Sequence, residues 1–314
     1  MKQGTSITLE SMEDLIEYIK NPSEGVKVII GFPSLDNLTN KLDRCDASEL
    51  LNSPILDIGN WDVSRVTSMK STFANVIWFT QSLTNWDVSN VTNMDFMFHD
   101  AAGFNGDISK WDVGNVISMC DMFHRALKFN CNIEGWNTSN VKNMCGMFML
   151  AKAFNQPLNN WDVSKVTDMC GMFWSAKSFN QALDKWNTSS VTIASYMFLG
   201  TEVFNQDIST WDVSNVTSMH RMFLLAKEFN QPIGAWNVSK VTNMQEMFYK
   251  AKSFNQSLND WDVSNVAYMA CMFFGAESFN QSLPDWNIQK DAEVWCMFTG
   301  TVREHKCKHT RRFI

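Results

Sequence analysis

The sequence predicts an α/β solenoid of about ten 25-residue coils, each with a short parallel strand and a short helix. Ten tryptophans recur every 25 residues without insertion or deletion, and a fixed period of this length indicates a stacked array rather than one globular core. Within each period the apolar residues first alternate as in a strand and then follow helical spacing. The ten residues are Trp61, Trp86, Trp111, Trp136, Trp161, Trp186, Trp211, Trp236, Trp261 and Trp286. Positions in each coil are counted from this tryptophan, which is position 0.

The strand is predicted around the tryptophan. In the coil of Trp161, the apolar residues are Leu158, Trp161 and Val163, and the polar residues are Asp162 and Ser164. Side chains alternate between the two faces of a strand, so Trp161 and Val163 are expected to face a core and Asp162 to face solvent. Strands stacked in register about 4.8 Å apart form a parallel sheet, and ten coils then give a rod or arc roughly 50 Å long.

The helix is predicted later in the coil. Met169, Met172, Phe173 and Ala176 stand at i, i+3, i+4 and i+7, which is the apolar stripe of a short amphipathic helix. The residue before the first methionine has a side chain that caps helices in seven coils. These residues are Ser68, Asn93, Ser118, Asn143, Asp168, Ser218 and Asn243.

One coil cannot fold alone. Burial of its large apolar side chains contributes roughly 12–24 kcal/mol, whereas ordering its residues costs about 1.5 kcal/mol each. Stability must therefore come from stacking, and the ends of the array need caps. We predict an amino-terminal cap over residues 1–60, the repeat solenoid over 61–298, and a basic tail or cap over 299–314.

The amino-terminal cap is expected to contain three elements. Ser11 can cap a helix, because apolar residues follow it at helical spacing from Met12 to Ile19. The apolar run over residues 26–30 predicts a strand, and residues 34–60 resemble a degenerate first coil. The carboxyl-terminal tail over residues 302–314 is basic and is either a closing strand or an arm for a phosphate or an acidic partner.

Charge and hydropathy argue against nucleic acid as the main partner and against a membrane-spanning helix. The chain has 33 acidic and 26 basic residues and a net charge of −7, which argues against nucleic acid, because phosphate binding needs a basic face. No apolar run is long enough to span a membrane, and no apolar leader begins the chain. The expected location is the cytoplasm or a virion, or the cell surface if an amino-terminal signal precedes this sequence.

The candidate binding strip is the column that follows each tryptophan. It is predicted to face solvent and is either a docking strip for a basic partner, a set of weak calcium sites shared with Ser64, Ser89 and Ser164, or a solvated face with local turns. Its members are Asp62, Asp87, Asp112, Asn137, Asp162, Asn187, Asp212, Asn237, Asp262 and Asn287.

A second polar column is expected to be structural. An asparagine at one corner of each coil can hydrogen-bond to the backbone of the next coil. The column comprises Asn105, Asn130, Asn155, Asn180, Asn205, Asn230, Asn255 and Asn280.

The eight cysteines are expected to be free thiols. Cys120, Cys145 and Cys170 share one column, and Cys271 and Cys296 lie one position later. Adjacent coils are close enough for a bridge, but three thiols in a row cannot all pair, and a reducing compartment disfavours disulfides. A metal held by His305, Cys307, His309 and Cys296 is the weaker alternative. No metal or cofactor is predicted.

No catalytic motif is present in the sequence. It contains no glycine-rich phosphate loop, no G-x-S-x-G turn and no H-E-x-x-H pair. His99 and His124 recur one coil apart but have no neighbouring nucleophile. We therefore expect that the protein is not an enzyme.

The coil resembles a known repeat. Leu158-x-x-Trp161-x-Val163 is similar to the LxxLxL segment of leucine-rich repeats, and the fuller pattern WDVSNVTNMxxMFxxAxxFNQ, seen from Trp86 and again from Trp211, resembles the 25-residue repeat of BspA-like surface proteins. Such repeats occur in mycoplasma lipoproteins, other bacterial surface proteins, some protists and large DNA viruses. The resemblance implies a right-handed leucine-rich-repeat-like solenoid that serves adhesion or protein binding without catalysis. Bacterial members carry a signal peptide or a lipidated cysteine near the start, whereas the first cysteine here is Cys45.

Together these features predict a non-enzymatic protein-binding or scaffold solenoid that presents an extended repeat surface to a protein partner. The alternative is a structural component that associates with itself in a virion or a cell-surface layer.

Overall fold

A computed structural model describes residues 5–42, 44–53, 55–283 and 286–302, without the side chains of residues 44–46. Residues 6–60 contain the helices and strands, whereas the coils that follow consist of turns joined by backbone hydrogen bonds. Successive coils pair with one another in chain order. The chain is therefore a repeat solenoid, as its period predicts.

The amino-terminal region contains six elements. They are β1 (Ser6–Leu9), α1 (Met12–Lys20), β2 (Lys27–Ile30), α2 (Leu38–Lys41), α3 (Arg44–Leu51) and a 3-10 helix (Ile58–Asn60). Ser11 caps α1 by accepting a hydrogen bond from the Asp14 N–H at 3.1 Å, which confirms the prediction for this helix. The predicted strand is β2, and it pairs in parallel with β1. β1, α2 and α3 lie outside the sequence prediction.

β2 joins this region to the first coil. Ile29 forms a parallel bridge with Asp62, and the Asp62 N–H donates to the Val28 carbonyl at 2.8 Å. Further along, Ser34 forms the same kind of bridge with Ser68. The segment from β2 to Ser34 thus supplies hydrogen-bond partners to the amino-terminal side of the first coil, which would otherwise be left without them.

Turns replace the predicted helix. No α-helix lies within the described part of residues 61–302. In the coil of Trp161, backbone N–H groups alternate between two kinds of acceptor, one in the next coil and one three residues back. Gly171, Phe173 and Ser175 donate to Ser195, Met197 and Leu199 of the next coil at 2.6–2.9 Å. Met172, Trp174 and Ala176 donate to Met169, Gly171 and Phe173 at 2.9–3.2 Å. The helix prediction is wrong, because half of these N–H groups donate to carbonyls of the next coil rather than to their own coil.

Backbone conformation explains the difference. Gly171 and Ser175 have positive φ angles of 59° and 54°, and each occupies the third place of a four-residue turn, as in type II turns. The same two positions have positive φ in the other coils. The apolar stripe is nevertheless buried as predicted, because successive three-residue turns repeat the i, i+3 spacing of a helix. Of the seven predicted capping residues, the Asn and Asp members still accept a backbone N–H two residues later, as Asp168 does from Cys170 at 2.9 Å, but this bond closes a turn and does not cap a helix.

The strand predicted at the tryptophan is absent, and successive coils pair through single bridges at another position of the coil. Among the described residues the only strands are β1 and β2. Successive coils are joined at position 7 by single parallel bridges that run from Ser68↔Asn93 to Tyr268↔Glu293. Around the tryptophan the chain turns instead, because the Trp161 N–H donates to the Leu158 carbonyl of its own coil at 3.0 Å.

Three rows of stacked aromatic rings run through the core. Phe rings at positions 12 and 18 touch within a coil, as in Phe123 and Phe129 at 3.8 Å between centroids. The tryptophans are 2–5% exposed and stack with interplanar angles of 2–8° in the seven neighbouring pairs from Trp86 to Trp286 that are in ring contact. Each indole N–H from Trp86 to Trp286 is satisfied as burial requires, for example by donation from Trp186 to the Leu158 carbonyl of the preceding coil at 2.9 Å.

The coils are closer together on one side of the array than on the other. Neighbouring tryptophan rings are 6.0–6.5 Å apart, whereas neighbouring position-12 Phe rings, in the turn segment, are 5.5–5.8 Å apart. Equivalent atoms of successive coils are related by one rotation and one translation, so a shorter displacement means a smaller distance from the rotation axis. The turn segment is therefore on the inner side of the array.

Candidate functional site

The predicted strip at position 1 lies on the surface. Nine of its ten members are exposed, and Asp62 is half-buried. Most of these side chains accept a hydrogen bond from the backbone N–H two residues later, as Asp162 does from Ser164 at 2.9 Å. Asn187 and Asn237 also accept from the serine hydroxyl at 2.7 and 2.8 Å. The strip is thus a row of local turns whose remaining carboxylate and amide atoms face solvent.

Four carboxylates of the strip are held in their charged form. The pKa values of Asp62, Asp162, Asp212 and Asp262 lie below the ordinary value, because the serine hydroxyl and the serine N–H two residues later both donate to the carboxylate. At its amino-terminal end the strip borders an open cleft of about 450 Å³ that is lined by Lys27, Asp57, Asp62 and Asp87, among others.

The asparagine corner column has the role that the sequence predicts. Each Oδ1 from Asn105 to Asn255 accepts the backbone N–H of the asparagine one coil later, as Asn180 does from Asn205 at 3.0 Å. The glutamine that follows adds a second donor, because Gln206 Nε2 lies 3.0 Å from the same oxygen. Seven such backbone bonds connect Asn105 to Asn280. These residues hold the coils in register and are not free to bind a ligand.

The sequence did not predict a further surface, which the turn segment forms. In the turn segment most side chains at positions 9, 10, 13 and 14 are half-buried, and we call these positions the turn face, whereas positions 8, 11, 12 and 15 are mostly buried. Position 12 is Phe in all ten coils, but position 13 changes from coil to coil. In chain order, position 13 is Ala74, His99, His124, Met149, Trp174, Leu199, Leu224, Tyr249, Phe274 and Thr299. This contrast between a fixed and a varied column was the available signal, but the helix prediction obscured it.

The second half of the turn face is apolar. We call its half-buried residues the apolar stretch: Met149, Leu150, Trp174, Tyr196, Leu199, Leu224, Leu225, Tyr249 and Phe274. Some of them stack across coils, with ring centroids 5.6 Å apart for Trp174 and Tyr196 and 4.9 Å apart for Tyr249 and Phe274. The stretch crosses six successive coils, so it is larger than the scattered apolar residues of an ordinary surface.

Charged groups border the apolar stretch. Arg221 makes two hydrogen bonds to the Glu246 carboxylate at 2.9 and 3.1 Å, and the Lys250 ammonium lies 5.4 Å from the Tyr249 ring centroid. Position 16, beside the turn face, has more lysine than glutamate in the same coils. Its charged members there are Lys152, Lys177, Glu202, Lys227, Lys252 and Glu277. The border therefore carries a small positive excess, although the whole chain is acidic.

The first half of the turn face is polar. His99 and His124 meet edge to face with centroids 4.5 Å apart, and His124 Nδ1 lies 3.0 Å from the Asp121 carboxylate. Burial and the neighbouring His124 lower the pKa of His99. Among the described residues, no group of three or more His, Cys, Asp and Glu side chains is placed to hold a metal ion. His305, Cys307 and His309 of the weaker metal alternative lie outside the described residues.

The fold and its surfaces define a repeat protein built from 25-residue coils. The chain matches the family described as Mycoplasma protein of unknown function, DUF285, over residues 42–158, 106–210, 129–233 and 200–309. These overlapping matches cover most of the chain, and the protein belongs to this family. Comparison with curated proteins finds no match. None of the described helices is long and apolar enough to cross a membrane.

Proposed function

We propose that this protein is a non-enzymatic binding scaffold whose protein partner docks along the apolar stretch of the turn face. The observation that carries the proposal is the contrast within the coil. Core and corner positions hardly change, whereas the mostly half-buried positions 10, 13 and 14 of the turn face differ from coil to coil and include large apolar side chains. Stacking of the coils requires the core and corner positions to repeat regularly but does not require this of positions 10, 13 and 14.

Geometry and charge favour a particular kind of partner. The turn face lies on the inner side of the array, where solenoids commonly bind. Trp174 and Tyr249 are half-buried, and tryptophan and tyrosine are among the residue types that contribute most of the binding energy at interfaces. The positive border at position 16 complements carboxylates. We therefore propose a partner surface of apolar side chains next to acidic ones.

The strip at position 1 is the second candidate surface within the same proposal. Its six aspartates are charged and almost all exposed, so they complement a basic partner. However, the strip repeats nearly the same residue in every coil, and its side chains already bond to their own backbone. A regular strip of this kind offers a partner little to distinguish one coil from another.

The test is stoichiometric capture of a partner from native extract, repeated with matched variants of the purified chain. Trp174→Ser combined with Tyr249→Ser should weaken capture roughly 30-fold or more, because loss of interface aromatic side chains costs about 2 kcal/mol or more. Val203→Ser is the control, since Val203 is an exposed apolar residue outside the turn face. Asp162→Asn combined with Asp212→Asn tests the strip while keeping an acceptor for each local turn.

Each outcome decides between the alternatives. Capture that is lost only with the aromatic pair supports the turn face, and loss only with the aspartate pair moves the site to the strip. If the chain binds only itself in sedimentation experiments, the structural alternative replaces the binding scaffold. Turnover of a substrate that one polar substitution abolishes would overturn the non-enzymatic proposal.

Two finer points belong to the same proposal. The motif WDVSNVTNM supports a relationship to the BspA-like leucine-rich repeats, although these coils consist of turns rather than of a strand and a helix. The location in the cytoplasm or on a virion, or at the cell surface behind a signal sequence, also remains a proposal.

A further inference from the structure

Three thiols lie side by side on the turn face. Cys120, Cys145 and Cys170 occupy position 9 of three successive coils, and all are free and half-buried. The backbone holds them in register, because the Asp121 N–H donates to the Cys145 carbonyl at 2.7 Å and the Gly146 N–H to the Cys170 carbonyl at 2.8 Å. Paired parallel chains place equivalent Cα atoms about 4.8 Å apart, which is within the range of roughly 4.4–6.8 Å that a disulfide spans.

The central thiol differs chemically from its neighbours. Interaction with the thiols of Cys120 and Cys170 lowers the pKa of Cys145, and the same interaction raises the pKa of the other two. Burial and the Asp121 carboxylate oppose the lowering at Cys145 but do not reverse it. The thiolate is the nucleophilic form of cysteine, so Cys145 is the first member of the row to react with an electrophile.

We propose that Cys120, Cys145 and Cys170 form a peroxide-responsive thiol row in which Cys145 becomes joined by a disulfide to one of its two neighbours. The Cys145 thiolate attacks one oxygen of hydrogen peroxide, the O–O bond breaks, and hydroxide leaves, so that Cys145 becomes a sulfenic acid. A neighbouring thiol then loses its proton as its sulfur attacks the Cys145 sulfur and displaces a second hydroxide. With the two thiol protons, both hydroxides become water, so that two thiols are oxidised and one peroxide is reduced.

The odd number of thiols makes the row exchangeable. Cys120 and Cys170 are two coils apart, about twice the spacing of adjacent chains, which is too far for a direct bond. One disulfide therefore always includes Cys145 and leaves one end thiol free. That thiol can attack Cys145 and release the other end, so the bridge can move between the two coil junctions without a further oxidant.

The test uses the full folded chain, treated with hydrogen peroxide, digested without reduction and analysed by mass spectrometry. We expect two linked peptide pairs, Cys120 with Cys145 and Cys145 with Cys170, and no link between Cys120 and Cys170. Cys145→Ser should abolish both links, whereas Cys120→Ser should leave only the link to Cys170. Cys131→Ser is the matched control, because Cys131 is also half-buried but lies at another corner, beside Asp107.

A Cys120–Cys170 link in the wild-type chain, or unchanged peroxide consumption by the row in Cys145→Ser, would overturn the proposal. So would oxidation of all three thiols at equal rates without any link. Retention of the near-ultraviolet circular dichroism of the stacked tryptophans shows that each variant remains folded. A serine in place of a half-buried thiol is nearly isosteric, so we expect that signal to be unchanged.

Discussion

Single side chains in this protein mostly serve the coil to which they belong or the coil before it. At position 1, Asp162 accepts hydrogen bonds from Ser164, so part of its hydrogen-bonding capacity is already used when a partner arrives. The interaction also has a thermodynamic consequence. Because the pKa of Asp162 is lower in the folded chain, its hydrogen bonds stabilise the fold at pH values above the ordinary pKa of 3.8. This contribution to stability is lost as the pH falls through the pKa that Asp162 has in the folded chain.

We predict that Ser164→Ala raises the pKa of Asp162 towards its ordinary value. The substitution removes the hydroxyl, which makes the largest contribution to the shift, and keeps the backbone N–H. A carboxyl-carbon NMR titration measures the change. Asp212 serves as the internal control, because its own partner Ser214 is intact and its pKa should stay low. Identical titrations of Asp162 in both chains would contradict the role of the hydroxyl.

Residue types at fixed positions were the most predictable feature. The asparagine column, the burial of Met169, Met172 and Phe173, and the cap at Ser11 all follow from what those side chains can do chemically. The turn face could not be predicted in the same way. The sequence pattern places Trp174 and Tyr249 on the surface of the predicted helix. Only the backbone path of the turns brings Trp174 next to Tyr196 and Tyr249 next to Phe274 along one surface.

Elements were harder to predict than residues, because two backbone conformations share one sequence pattern. A stripe at i, i+3, i+4 and i+7 fits a short helix, but it also fits a chain of three-residue turns. Glycine at Gly146 and Gly171 was a signal of the turns, since it tolerates positive φ. Most coils have Ser, Leu, Lys or an aromatic residue at a positive-φ position, so composition alone does not reveal it.

Two substitutions distinguish turn from helix by the sign of their effect. With φ at 59°, Gly171→Ala should destabilise the fold by about 1 kcal/mol, whereas in a helix it would stabilise by a similar amount. With φ at 54°, Ser175→Gly should stabilise by up to about 1 kcal/mol. Chemical denaturation measures both values.

Gly135→Ala is the control for these variants. An added Cβ at Gly135 meets no atom within 4 Å, and its φ is outside the positive range. The substitution should therefore leave stability unchanged or raise it slightly, because alanine restricts the unfolded chain. A stabilising Gly171→Ala would show that the turn segment is wrongly placed.

The whole molecule is held together by contacts between neighbouring coils, which makes its length adjustable. The row of position-12 phenylalanines continues without a break from Phe73 to Phe298, as in the contacts of Phe148 with Phe173 and of Phe173 with Phe198. Removal of one full period therefore joins surfaces that already fit. Removal of part of a period does not, because it places polar positions against the aromatic rows.

We predict that deletion of residues 161–185 leaves a folded chain, with the unfolding temperature lowered by only a few degrees. Deletion of residues 161–172 should prevent folding, although it removes fewer residues. Near-ultraviolet circular dichroism of the tryptophan row and thermal unfolding measure both outcomes. Loss of the folded signal in both deletions would show that the coils are not interchangeable.

Two sets of hydrogen bonds between coils share one direction. Indole N–H groups and asparagine backbone N–H groups of a later coil donate to oxygens of the coil before it, as Trp186 does to Leu158 and Asn205 to Asn180. A coil that leaves the ribosome thus meets its acceptors already in place on the coil made just before it. Synthesis can therefore template the array from its first coil onward, one turn of the spiral at a time.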